Sequence, residues 1–202
     1  MSLQMDKVFT TKQAAELLGV SLRTAQLWVE SGVLKAWKTA GGHRRIARES
    51  VETLLQEKHR ALGAESDGSP FRILVVEDEP DILKLYQLAI KSWGLPVEVY
   101  TAKNGIEGLL RLGQFRPNVL ITDLLMPSMD GVEMIRMLGT DPEYKDMTII
   151  VVSTLNPAEV QERGGLPDGA RLFAKPIPFE DIETVVREKF DARQSRLERV
   201  AG

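Results

Sequence analysis

The chain has 202 residues, 43% of them hydrophobic, which suits one large domain or two small ones with buried cores. It contains no cysteine, which excludes disulfides and thiolate metal sites and fits a reducing cytoplasm. The net charge of −3 is uneven: residues 1–62 carry ten Lys/Arg against six Asp/Glu, a net of +4, and the remainder carries 16 against 23, a net of −7, which predicts two domains with different partners. The apolar runs, such as "ILVV" (73–76) and "TIIVV" (148–152), are too short to span a bilayer, and the N-terminus lacks the apolar core of a signal peptide. A cytoplasmic protein with no membrane partner is expected.

"TTKQAAELLGV" (10–20) predicts a helix capped by Thr10 or Thr11, with Ala14, Leu17 and Leu18 on an apolar face and Gly19 as its stop. Ser21 then caps a second helix, "SLRTAQLWVESG", ended by Gly32. Ala25, Trp28 and Val29 are expected inside, and Arg23, Thr24, Gln26 and Leu27 outside. Two short helices joined by a tight glycine turn suggest a helix-turn-helix. "LKAWK" (34–38) and "HRRI" (43–46) read as two strands joined by a turn containing Gly41 and Gly42, a pair that tolerates the positive φ of hairpin turns. This hairpin carries Lys35, Lys38, Arg44 and Arg45, with Arg48 close behind and no acid between Ser31 and Ala47. "RESVETLLQEKHRAL" supplies a closing helix.

"FTTKQAAELLGVSLRTAQLWVESGVLKAWKTAGGHRRI" resembles the MerR/excisionase class of winged helix-turn-helix domains over about residues 8–58, with Ala40 where proline is usual in the wing. The resemblance implies double-stranded DNA as partner, the second helix in the major groove and the wing on the backbone. The residue types agree. Arg and Gln make paired hydrogen bonds to guanine and adenine, so Arg23 and Gln26 are candidate base readers. Ser21 and Thr24 lie nearer phosphate, and Lys38, His43, Arg44 and Arg45 suit phosphate, with Gly41 and Gly42 allowing close backbone approach. His43 and His59 lack spaced partners for a zinc site. The polar stretch "LGAESDGSP" (62–70) marks a boundary. The expected organisation is a DNA-binding domain over 6–62, a linker over 63–70 and a second domain over 71–202.

From Phe71 strands and helices alternate: "FRILVVED", "EPDILKLYQLAIKSWG", "PVEVYTA", "NGIEGLLRLGQF", "PNVLITDLLMP", "DGVEMIRMLG", "TIIVVST", "ARLFAKP" and a long final helix from "FEDIET". Continuous apolar strands in such an order predict an α/β fold, a doubly wound five-stranded parallel sheet covered on both faces. Ligands in these sheets sit at the carboxyl ends of the strands. Glu77 and Asp78 end the first strand, Asp123 the third, Ser153 the fourth and Lys175 the fifth. Converging carboxylates repel one another unless a hard cation such as Mg²⁺ joins them. A carboxylate so placed can accept a phosphoryl group, with lysine and hydroxyl holding its oxygens.

"VVEDEP", "ITDLLMPSMDG", "VVST" and "AKPI" resemble, in order and spacing, the response-regulator receiver domain, a flavodoxin-like fold, over residues 71–190. The resemblance implies Asp123 as phosphoacceptor, Mg²⁺ held by Glu77, Asp78, Asp123 and the backbone carbonyl of Leu125, Ser153 as switch hydroxyl, Lys175 as phosphate partner, and a cis peptide before Pro176. Leu172 stands where the family carries an aromatic switch residue, and Phe173 should face the other way. The helix after the fourth strand must be short, about 157–163, because Gly164, Gly165 and Pro167 follow. The resemblance implies that Leu125 and Leu155, two residues after Asp123 and Ser153, flank the path of a hydrolytic water, where apolar side chains should slow loss of the phosphoryl group. The expected function is a DNA-binding response regulator, not an enzyme, phosphorylated by a histidine kinase or phosphotransfer protein. A homodimer on paired half-sites is expected, because one small domain offers few contacts. A phosphorylation-controlled interaction module and a recombination accessory factor remain the alternatives.

Overall fold

The computed structural model describes residues 8–39, 41–62, 69–126, 131–139 and 144–201. Most of the expected linker, Ala40 in the hairpin turn and residues 127–130 after the third parallel strand lie outside that set. The chain divides into two compact units, Met1–Ala64 and Glu65–Gly202.

In the first unit the caps decide where the helices start. The Thr10 hydroxyl accepts the Gln13 N–H at 3.2 Å, and Gln13 Oε1 accepts the Thr10 N–H at 2.9 Å. This reciprocal pair opens α1 (Thr11–Leu18), and Gly19 closes it in the left-handed region at φ 68°. Ser21 opens α2 (Leu22–Glu30), its hydroxyl accepting the Thr24 N–H at 3.0 Å. Such a cap contributes about 1 kcal/mol. The helices pack with α3 (Arg48–Leu62) and a three-stranded antiparallel sheet, β1 (Val8–Phe9), β2 (Ala36–Lys38) and β3 (Arg44–Ala47), in the order β1-β3-β2. Ala14, Leu18, Trp28, Leu34, Ile46 and Val51 form the core.

The second unit alternates strand and helix as β4 (Phe71–Val76), α4 (Pro80–Ser92), β5 (Val97–Ala102), α5 (Gly105–Phe115), β6 (Val119–Thr122), α6 (Gly131–Gly139), β7 (Thr148–Ser153), α7 (Pro157–Glu162), β8 (Arg171–Ala174) and α8 (Phe179–Ala201). The strands are parallel in the order β5-β4-β6-β7-β8. All four residues of β6 are buried, as a central strand covered on both faces requires. One layer of core joins Ile73, Val75, Ile121, Ile150 and Val152 of the sheet to Leu83, Tyr86 and Ile90 of α4 and to Ile182 and Val186 of α8. Phe190 meets Phe71 edge-on at 5.2 Å, and Arg193 donates to the Ser69 carbonyl at 2.9 Å, so α8 is anchored to the start of β4. Phe173 packs against this core, as its register on β8 predicts.

Candidate functional site

Parallel strands bring their carboxyl ends to one edge, and the ladder fixes the residues just beyond them. The Glu77 N–H donates to the Ala102 carbonyl at 3.0 Å, the Asp123 N–H to the Val76 carbonyl at 3.1 Å, and the Lys175 N–H to the Ser153 carbonyl at 2.9 Å. The side chains then converge. Lys175 Nζ lies 2.6 Å from Asp123 Oδ2 and 3.1 Å from Glu77 Oε2. Asp123 Oδ1 is turned the other way and accepts the backbone N–H groups of Leu124 at 2.5 Å and Leu125 at 3.1 Å. Ser153 is buried, and its hydroxyl accepts the Leu155 N–H at 3.4 Å. The Lys175–Pro176 peptide is cis.

Burial sets the electrostatics. Glu77 is 2% exposed and Asp123 7%. Desolvation raises the Glu77 carboxyl above its ordinary pKa, the Lys175 ammonium offsets part of that rise, and the Asp123 charge adds to it. For Lys175, desolvation alone would lower the pKa. Its hydrogen bonds to Asp123 and Glu77 outweigh that and hold it above the usual lysine value, so it stays charged. Tyr86 on α4 is raised by burial first and then by the Glu77 and Asp123 charges, which keeps its phenol protonated.

The three acids expected to gather are not all brought together. Among the described residues no three His, Cys, Asp or Glu side chains approach closely enough to hold a metal ion. Glu77 and Asp123 share Lys175, whose ammonium does the neutralising, and the half-buried Asp78 does not join them. The donor chemistry still suits a hard cation: two buried carboxylates face one ammonium, so one negative charge is left uncompensated at an edge built of oxygen donors.

The first unit presents a different surface. Ser21 and Arg23 are exposed and Gln26 is half-buried. Thr24 and Leu27, expected outside, are each only 7% exposed. Thr24 sits on the third residue of α2, where its backbone N–H and its hydroxyl are both within reach of Ser21, the hydroxyls being 2.8 Å apart. Its part is in the cap rather than on the outer face. In the hairpin the Gly42 N–H donates to the Thr39 carbonyl at 2.8 Å, and the Thr39 N–H to the His43 carbonyl at 2.9 Å. Gly42 takes the positive φ, 77°, that hairpin turns favour in glycine; Gly41 does not. Arg45 and Trp37 lie opposite one another on β3 and β2, and Trp37 is 51% exposed. Arg44 lies on the other face, 3.1 Å from Glu30 at the end of α2. This pair of half-exposed side chains ties the hairpin to the second helix. Arg44, expected on phosphate, has a partner fourteen residues away in Glu30, a separation at which residue types alone do not reveal a pair.

Residues 73–187 match the family described as the response regulator receiver domain, more than half of the chain, and residues 8–59 match a helix-turn-helix domain family. The chain belongs to the response regulator receiver family. Its receiver unit carries the helix-turn-helix unit in front. The transcriptional regulatory protein TrcR of Mycobacterium tuberculosis is 32% identical over 166 residues, 81% of this chain and 60% of that relative. Protein PilH of Pseudomonas aeruginosa is 32% identical over 57% of this chain and 92% of its own length. A crystal structure of a two component transcriptional regulator from Clostridium phytofermentans superposes with a TM-score of 0.51 at 26% identity, covering 64% of this chain and 98% of that one. The chemotaxis response regulator CheY4 of Vibrio cholerae, at 24% identity and TM-score 0.50, shares the fold. The chain spans about half to three fifths of the length of TrcR and of the response regulator MprA of Mycobacterium ulcerans. Among the described residues no helix is long and apolar enough to cross a membrane.

One glycine of the receiver unit is forced by the site. Gly131, the first residue of α6, donates its N–H to the Leu124 carbonyl at 2.9 Å. A Cβ there would lie 2.7 Å from Leu124 Cα and closer still to the Asp123 carbonyl oxygen. Both are backbone atoms of the segment that holds Asp123, so relief requires moving the acceptor. Gly131→Ala is therefore expected to cost about 1–3 kcal/mol of receiver stability, as overpacking does, read as a lower urea midpoint. An unchanged midpoint would contradict this packing.

Proposed function

We propose that the chain is a DNA-binding response regulator whose receiver unit accepts a phosphoryl group on Asp123 from a histidine kinase or a phosphotransfer protein. The observation that carries this is the Lys175 ammonium held between buried Asp123 and Glu77 at the strand ends. Oδ1 of Asp123 is occupied by two backbone donors, which leaves Oδ2 as the attacking oxygen. Its lone pair forms an O–P bond. The P–N bond of a phosphohistidine breaks, the electron pair leaves with the imidazole nitrogen, and that nitrogen takes a proton from solvent water. Lys175 turns from the carboxylate to a phosphoryl oxygen, and the Ser153 hydroxyl takes another. Glu77, Asp123 and the Leu125 carbonyl, joined by Asp78 once its side chain turns toward them, would hold Mg²⁺, which supplies charge neutralisation for the incoming phosphoryl group. The chain is a regulator rather than an enzyme with a turnover substrate of its own.

The added charge of about −2 acts through the Lys175 and Ser153 contacts on the surrounding strand ends, and a packed domain answers such a change by shifting between discrete arrangements. The output is binding of double-stranded DNA by the helix-turn-helix unit, as a homodimer on paired half-sites in the cytoplasm. Arg23 and Gln26 face bases, and Ser21, Lys38, Gly41, Gly42, His43 and Arg45 lie along the backbone. Arg44 reaches phosphate only by exchanging its Glu30 partner. The domains run 6–62 and 71–202 with a linker between them.

Selection of bound duplexes from a random DNA pool, with and without Mg²⁺ and a small phosphodonor, tests this. One sequence motif is expected, with a recovery that changes with phosphodonor in the wild type and not in Asp123→Asn. No motif under either condition would favour a phosphorylation-controlled interaction module instead. Leu125, 41% exposed, and the half-buried Leu155 follow the acceptor and Ser153 by two residues each. Apolar side chains there obstruct an attacking water, so the isolated phosphoprotein is expected to keep its label, and Leu125→Asn to lose it several-fold faster. Equal decay in the two proteins would contradict the obstruction.

A further inference from the structure

Leu22 is the first residue of α2 and is 48% exposed, although it is a leucine. It is not part of the core cluster of its unit, which takes Trp28, Leu34 and Val20 but leaves Leu22 outside. Its surroundings are specific. The two hydroxyls beside it, Ser21 and Thr24, are engaged with one another at 2.8 Å in the helix cap. One helical turn on is Gln26, and one more is Glu30, so Leu22, Gln26 and Glu30 form an i, i+4, i+8 stripe. The carboxylate of that stripe is compensated by Arg44 at 3.1 Å. Exposed Arg23 stands next to Leu22. The outer face of the helix start thus offers one apolar side chain beside an arginine and an amide.

We propose that Leu22 is a specificity-determining residue of the DNA interface, which recognises the C5-methyl group of a thymine. The inference rests on the DNA-binding reading above and adds one base to it. In a helix-turn-helix the first residues of the second helix meet base edges. Leucine can neither donate nor accept there, and the thymine methyl is the apolar group on the major-groove edge. Methyl burial against leucine then discriminates thymine from cytosine, which carries only hydrogen at C5 and an amine at C4 in place of the thymine carbonyl. Four helical residues rise about 6 Å, and base pairs are stacked about 3.4 Å apart. The thymine therefore lies within two base pairs of the base that Gln26 contacts. Cα–Cβ bonds tilt toward the helix N-terminus, which turns Leu22 toward the end of the helix that enters the groove.

The test uses the full chain and the duplex selected above, with each thymine replaced in turn by uracil, which lacks only the methyl group. Affinity is read by fluorescence anisotropy. In the wild type one replacement per half-site is expected to weaken binding about fourfold, the value of one methyl-sized group buried. Leu22→Ser should bind the thymine and uracil duplexes equally, while Leu22→Met, which keeps an apolar contact, should retain the difference. Circular dichroism of both variants should match the wild type, since the side chain is exposed. No uracil-sensitive thymine in the wild type, or a sensitivity that persists in Leu22→Ser, would overturn the inference and leave the DNA-binding reading standing. Loss of self-association in Leu22→Ser with thymine sensitivity intact would assign the side chain to a second copy of the chain and overturn it too. Failure to select any duplex would overturn the DNA-binding reading, and the inference with it.

Discussion

One ammonium group holds the receiver edge together. Two buried carboxylates from β4 and β6 are brought within hydrogen-bonding distance of Lys175, which follows β8 at the far side of the sheet. Unit charges about 4 Å apart interact by about 4 kcal/mol at an effective dielectric of about 20, which is enough to repel or to bind depending on sign. Without the lysine, Glu77 and Asp123 would face one another buried and uncompensated, a loss on the order of 3–5 kcal/mol. The sheet order β5-β4-β6-β7-β8 makes the convergence possible, because it sets β4 beside β6 and puts β8 within a long side chain's reach. The same arrangement leaves one oxygen of Asp123 fixed by amides and the other facing a cation, so the two oxygens of the carboxylate are not equivalent.

The first unit is built on the opposite economy. Few residues are buried, and short helices are held by caps rather than by length. Thr10 with Gln13 and Ser21 with Thr24 each close a helix start, and Gly19 and Gly42 supply the positive φ that its tight turns need. What remains outside is mixed in charge: exposed Glu16, Glu49 and Glu52 lie among the basic residues, and Glu30 is matched to Arg44. The surface that faces outward from α2 is set by which hydroxyls the caps consume.

Much of this was legible in the sequence, for particular reasons. Strand-end acids, the serine and the lysine were readable because parallel sheets place carboxyl ends together, so order along the chain stands in for proximity in space. Helix starts were readable because Ser and Thr in front of an apolar periodicity mark a cap, as at Ser21, whose hydroxyl accepts the Thr24 N–H. The misread positions depend on neighbours that periodicity does not contain. In a nine-residue helix packed on more than one side, Thr24 and Leu27 are covered along with Ala25 and Trp28. The two-residue strand Val8–Phe9 is too short to show alternation, and exists because Phe9 pairs with Ile46. The Glu30–Arg44 pair and the exclusion of Asp78 from the shared lysine follow from side-chain placement across the fold, which residue types alone do not specify.

The most direct measurement is the mass of the intact chain after incubation with Mg²⁺ and a small phosphodonor, followed by borohydride trapping and peptide mapping. A gain of one phosphoryl group, mapped to Asp123 and absent from Asp123→Asn, is the predicted result. No adduct on correctly folded wild-type protein, or an adduct that survives Asp123→Asn, would contradict the assignment of this strand end as the phosphoacceptor.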